Sequence, residues 1–200
     1  MKKESVSKKK IKKYALDLFN EKDTFSITTN HIALCAKIST GNLYYHYKNK
    51  EDIIIDIYEE MIEKFENLNS FEKILNSQNP LEELSKMYDL YLDIFWDYRF
   101  LMRDSSVLLS TLPKFKEIFI QRQNLRIEQI KMLIEYFISK DIFKQMSEDE
   151  ILLSAKLNWF ISTYWQNFIS INEVITKESF KEAKDVIFKI NINPFLKNRA

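Results

Sequence analysis

The sequence predicts an all-α chain of about nine helices, a small N-terminal tri-helical helix-turn-helix unit followed by a larger helical body. Three observations carry this. Apolar residues recur at helical spacing along most of the chain, no stretch alternates apolar and polar residues over the length of a strand, and one glycine with three prolines supplies little turn chemistry for a sheet. A content of 46% hydrophobic and 30% charged residues marks an ordered chain and excludes a disordered one.

The elements follow in order. Ile11, Tyr14, Ala15, Leu18 and Phe19 share one face of a helix over roughly residues 6–21, ringed by Lys8, Lys9, Lys10, Lys12 and Lys13. Thr28 or Thr29 caps a short helix with Ile32, Ala33 and Ala36 inward, and Ser39 caps another carrying Leu43 and Tyr47. From Lys50, the pattern Ile54, Ile57, Tyr58, Met61, Phe65 describes a long amphipathic helix leading out of this unit. Asn79-Pro80 opens the next, with Leu81, Leu84, Tyr88, Tyr91 and Phe95 on one face. A shorter segment lies around Tyr98–Ser110, and Pro113 begins a long periodic stretch to Phe137. Ser147 with Glu150 forms a capping-box pattern before a helix reaching Ile171, and Thr176 starts the last one, faced by Phe180, Ala183, Ile187 and Ile190.

Charge divides along the same boundary. Residues 1–50 hold 11 lysines and no arginine against four acidic residues, a net +7, while residues 51–200 hold 19 basic against 25 acidic residues, a net −6. A basic head on an acidic body fits a polyanion-binding module joined to a different one, whereas a solubilising lysine tail is the plainer reading. No run of about 18 uncharged apolar residues occurs and no apolar signal core follows the basic N-terminus, so the expected location is the cytoplasm. The single cysteine, Cys35, has no partner for an internal disulfide. The chain's two histidines and one cysteine make no metal-ligand pattern, and neither a phosphate-cradling glycine loop nor a nucleophile–base arrangement is present, so no catalysis, metal or cofactor is expected.

The motif lies at residues 27–53. It combines Thr28-Thr29-x-x-Ile32-Ala33, then Ser39-x-Gly41-x-Leu43-Tyr44-x-His46-Tyr47, then Lys48-x-Lys50-Glu51. This combination closely resembles the DNA-binding signature of the tetracycline-repressor (TetR) family. Gly41, the chain's only glycine, falls at the start of the presumed recognition helix, where the missing Cβ lets backbone approach DNA closely. Thr40 and Asn42 flank it for base edges in the major groove. Tyr44, Tyr45, His46 and Lys50 offer donors for phosphate, and the resemblance makes Tyr44 the residue that touches both backbone and base. Thr28, Thr29 and Ser39 sit at helix N-termini, whose free N–H groups favour phosphate. Tyr47 is expected in the core, His31 and Cys35 in structural or surface roles. Two departures stand out. Lys37 occupies a turn position where the family commonly has glycine, at an expected cost of roughly 1 kcal/mol, and Thr24-Phe25-Ser26 lacks the glycine often found before the threonine pair.

The resemblance implies a domain boundary near residue 50, with residues 51–200 as the effector and dimer domain. Operator DNA, a second copy of the chain through the last two helices, and a small hydrophobic effector are the implied partners, with no membrane. A two-fold dimer would read an inverted repeat with major grooves about 34–36 Å apart. The body's aromatic set suggests Tyr88, Tyr91, Phe95, Phe100, Arg103, Phe119 and Trp159 as cavity residues, although aromatics at helical spacing also build plain cores. Arg99, Arg103 and Asp104 read equally as a polar anchor for a ligand or as an ion pair at a helix end. The fourth helix is expected to carry effector-driven change to the head. Competing readings are a constitutive regulator without effector, a helical carrier of hydrophobic ligands without DNA regulation, and weak membrane attachment through the lysines.

Overall fold

The computed structural model describes residues 5–197, and they form an all-α fold. In order, its helices are α1 (Val6–Glu21), α2 (Thr29–Cys35), α3 (Thr40–His46), α4 (Lys50–Asn67), α5 (Ser70–Leu75), α6 (Pro80–Asp97), α7 (Arg99–Arg103), α8 (Ser105–Thr111), α9 (Pro113–Ser139), α10 (Glu148–Ile169) and α11 (Lys177–Ile187), closed by a π-helical turn (Phe188–Ile192) and a 3-10 turn (Asn193–Phe195). The count exceeds the expected one for local reasons. The segment expected around 98–110 divides at Asp104, and the linker after α4 coils into α5.

Capping explains most of the boundaries. Ser5, Thr28, Ser39, Asn49, Ser147 and Thr176 each accept a bond from a backbone N–H in the first turn. At α6 the expectation is met only by proline at the first turn, since the Asn79 side chain makes no cap bond. With so little glycine, helix C-termini take left-handed backbone from other residues: Lys37 (φ 53°), Asn69 (φ 49°) and Asp141 (φ 62°). Lys37 donates to Leu34 O and Ile38 to Ala33 O, the paired bonds of a Schellman ending to α2. The turn between α2 and α3 therefore has the geometry that glycine favours, held by a lysine.

One apolar cluster runs from Ile11 to Ile192. In the head, Ile11, Ala15 and Phe19 of α1 are buried with Ile32 and Ala33 of α2, Leu43 of α3, Tyr47, and Ile53, Ile54 and Ile57 of α4. The head meets α4 through polar contacts: Asp56 takes the Tyr47 hydroxyl at 2.5 Å and Lys8 Nζ at 2.7 Å, and Glu60 takes Lys12 Nζ at 2.8 Å. Further along the same helix, Tyr58 packs on Phe115 and Phe119, and Phe65 on Tyr91 and Phe95. Helix α4 is thus shared between the head and the body.

Candidate functional site

Recognition by α3 requires that it present side chains outward while one face holds it to the head. Within Ser39–Tyr47 only Leu43 and Tyr47 are buried, and Ser39, Thr40, Gly41, Tyr44 and Tyr45 are exposed. Asn42 and His46 are half-buried, and the His46 ring meets Tyr45 edge-on at 5.0 Å. Thr29, at the first turn of α2, shares a 3.0 Å hydrogen bond between its hydroxyl and that of Tyr44. The N-terminus of α2 and the outer face of α3 are therefore joined in one polar surface, with Lys37 and Lys48 exposed at either end of the α3 segment.

Gly41 has negative φ and open space around it: an added Cβ would find only Ser39 Oγ, at 4.0 Å. Nothing inside the protein demands glycine there, even though glycine costs a helix about 0.5–1 kcal/mol relative to alanine.

Lys50 takes a role other than the one expected. Lys50 was expected on phosphate, but its ammonium donates to the carbonyls of Thr24 (2.8 Å), Phe25 (3.2 Å) and Ile27 (2.8 Å), which uses all three of its protons. Burial draws its pKa below the usual lysine value, with Asp23 opposing. Thr28 spends its side chain on capping: its hydroxyl accepts from His31 N while His31 Nδ1 accepts from Thr28 N, both at 3.3 Å. His31, expected in a structural or surface role, takes a structural one by completing that capping box.

The body contains a cavity of about 430 Å³ walled by α4, α6, α9 and α10. Tyr88, Tyr91, Phe95, Phe119 and Trp159 line it as the sequence suggested. Phe100 and Arg103 do not. Phe100 is fully buried with its ring 5.1 Å from that of Phe19, so it fills the seam between head and body. Arg103 points into the same seam: its guanidinium donates to the carbonyls of Phe19 (2.8 Å), Asn20 (3.3 Å) and Lys22 (2.6 Å), and pairs with Asp104 at 2.7 Å. Asp104 in turn accepts from the Thr24 backbone at 2.9 Å and its hydroxyl at 2.5 Å. Arg99 lies over Trp96, 4.4 Å from the ring centroid, and is likewise absent from the cavity wall. Arginines 99 and 103 come in adjacent helical turns beside aromatics, a pattern indistinguishable in sequence from that of a pocket anchor.

The cavity's own polar groups went unrecognised. Asn158 donates to the Tyr88 hydroxyl at 2.6 Å, Ser154 to Asn191 at 2.6 Å, and Arg122 and Arg126 enter from α9. Burial pushes the pKa of both the Tyr58 and Tyr88 phenols up to about 12, with Arg122 and Arg126 opposing at Tyr58 and the Asn158 bond and Arg126 opposing at Tyr88. Two buried donors, Trp159 Nε1 and Ser70 Oγ, belong to cavity residues and have no hydrogen-bond partner among the described residues. The arginine pair was legible as a four-residue spacing on the long helix, but which face of that helix turned inward was not.

Known proteins share both parts of this architecture. Residues 11–57 match the family described as "Bacterial regulatory proteins, tetR family", and residues 58–199 the one described as "Bacterial transcriptional repressor". The chain is similar, at 27% identity over 197 residues (95% of this chain and 99% of the relative), to the biofilm operon icaADBC HTH-type negative transcriptional regulator IcaR of Staphylococcus aureus. A crystal structure of a TetR-family transcriptional regulator from Marinobacter aquaeolei superposes with a TM-score of 0.79 at 27% identity, covering 96% of this chain and 92% of that one. The regulatory protein TetR from Rhodobacter sphaeroides shares the fold at 16% identity, with a TM-score of 0.73 and coverage of 96% and 100%.

Proposed function

The chain belongs to the tetR family of bacterial regulatory proteins and is a DNA-binding transcriptional regulator, and on that premise we propose that it is a homodimeric repressor released from an inverted-repeat operator by a small hydrophobic effector. The observation that carries the DNA contact is the outward polar face of α3, with Gly41 open to solvent and Tyr44 braced by Thr29. Thr40, Asn42 and the edge of Tyr44 read bases, while Tyr45, His46 and the α2 and α3 N-termini position the phosphate chain. Lys50 serves this surface indirectly, by pinning the loop that precedes α2.

Dimerisation has support in α10. Leu153, Leu157, Phe160, Tyr164 and Phe168 fall three or four residues apart along one stripe, with Ile171 just past the helix end, and Leu153, Phe160, Phe168 and Ile171 are all more than half exposed. Together with α11 this apolar face suits a four-helix bundle with a second copy. Replacing Phe160 and Phe168 together with Glu should convert the dimer to monomers in sedimentation and abolish cooperative operator binding.

The effector reading rests on the cavity and on the contacts that lead away from it. Helix α4 lines the cavity through Tyr58, Met61 and Phe65 and reaches the head through Asp56 and Glu60. A second route leaves α10, where Asn167 donates to Arg103 O at 2.9 Å and Arg103 and Asp104 hold the end of α1. A ligand that favours one arrangement of these helices changes the separation of the two heads and so operator affinity. Selection of bound fragments from a random DNA pool tests the operator and dimer parts of the proposal. The expected product is an inverted repeat with half-sites about 10 bp apart or a multiple of that. Enrichment of no sequence would refute it.

A further inference from the structure

Within the effector reading just given, we infer that the cavity takes an amphipathic organic anion, a monocarboxylate with an apolar body, seated with its charged end on Arg126.

Aromatic and aliphatic side chains make up most of the cavity wall, which selects an apolar body. Its size is within the range of about 300–1,000 Å³ that encloses small organic ligands. The charge requirement comes from Arg126. It is half-buried on α9, and its guanidinium lies 5.4 Å from the Phe71 ring centroid and 5.6 Å from that of Tyr91. Its hydrogen bond goes to the neutral Gln129 Oε1, at 3.2 Å, and among the described residues no carboxylate pairs with it. A guanidinium has five N–H donors, so most of its bonding capacity is unused in an apolar setting where an unpaired charge is costly.

Other charges near the cavity do not supply what Arg126 lacks. Arg122, one turn earlier, already holds Glu66 at 3.1 Å on the solvent side. Glu66 and Glu72 are both exposed, at the outer rim of the wall. The arginine left for a ligand is thus the inner one, and the planar fork of a guanidinium matches a carboxylate in two parallel bonds. A neutral ligand would leave that charge unanswered, and a cation would add to it.

The test uses the full-length protein and three probes of equal chain length: decanoate, decan-1-ol and decyltrimethylammonium, measured by titration calorimetry near neutral pH. Decanoate is expected to bind at least about tenfold more tightly than the alcohol, the margin of a charge-assisted pair, and the cation to bind weakest. Arg126→Gln should bring decanoate and the alcohol to similar affinity, whereas Arg126→Lys should keep the preference. Because the ranking of the three probes is read on the unaltered protein, a variant that fails to fold leaves the assignment open to refutation. Equal binding of decanoate and the alcohol would overturn the anion assignment while leaving the cavity as an effector site. Binding of none of the three would overturn both. Binding of decanoate without release of operator DNA, followed separately by anisotropy, would overturn the effector reading and leave the ligand class standing.

Discussion

Substituting Gly41→Ala separates the needs of the fold from the needs of DNA recognition. In the isolated protein the new methyl group enters open space, with Ser39 Oγ at 4.0 Å as its nearest neighbour, and backbone φ is negative. The helix then gains the ordinary preference for alanine over glycine, about 0.5–1 kcal/mol in a helix interior and toward the lower end at the second residue of α3. For a chain of this length about 1 kcal/mol corresponds to roughly 2–4 °C in Tm, so calorimetry should show a rise of one or two degrees. On DNA the sign reverses. A methyl group forced into a close-packed contact costs about 1–3 kcal/mol, which is about a 5- to 150-fold loss of operator affinity. Fluorescence anisotropy with the selected operator at fixed salt measures it. If the alanine protein binds the operator as tightly as the original, the close-approach argument for Gly41 is wrong. If it is instead less stable, glycine serves the fold and not the DNA.

The other expectations concern the scaffold around that helix. Lys37→Gly relieves a left-handed lysine at the helix-turn-helix turn, and should raise stability by about 1 kcal/mol in chemical denaturation with no change in the denaturant slope. Lys50→Met removes the ammonium that holds three carbonyls; Tm should fall and operator affinity drop, but the slope of log affinity against log salt should stay unchanged, whereas loss of a phosphate contact would reduce it by about 0.9. At Asp56 and Glu60 burial raises the pKa, but lysine pairs and tyrosine hydroxyl bonds outweigh it and hold both carboxyls below their ordinary values. Their contribution is therefore present above the unfolded carboxylate pKa of about 4 and is lost as pH falls through the lower folded value. Thermal scans from pH 7 to pH 3 should show the head loosening at the acid end, and Asp56→Asn with Glu60→Gln should flatten that dependence; an unaltered acid profile would contradict the linkage.

Reading the fold from sequence succeeded where one local rule governs. The α1 start, the Thr28 and Ser39 caps, the Ser147–Glu150 box and the inward set Ile32, Ala33, Leu43 and Tyr47 depend on neighbours within a turn or two. Reading failed at arginine and lysine side chains long enough to reach several targets. Lys50 was expected to reach outward to phosphate and turns back to carbonyls 23 to 26 residues earlier. Arg103 was expected in the cavity and crosses to the end of α1, more than 80 residues away.

The amino-acid sequence alone determined the helical class, the position of the recognition helix and the uniqueness of Gly41, because hydrophobic period, capping and backbone freedom are properties of short segments. The folded chain alone decided which cations are spent internally and which are left without a carboxylate partner among the described residues. Lys8, Lys12, Lys50 and Arg103 are all engaged within the protein, and Arg126, in the cavity wall, pairs with no carboxylate among the described residues. A charge acts through what lies within a few ångströms of it, and those neighbours come from distant parts of the chain.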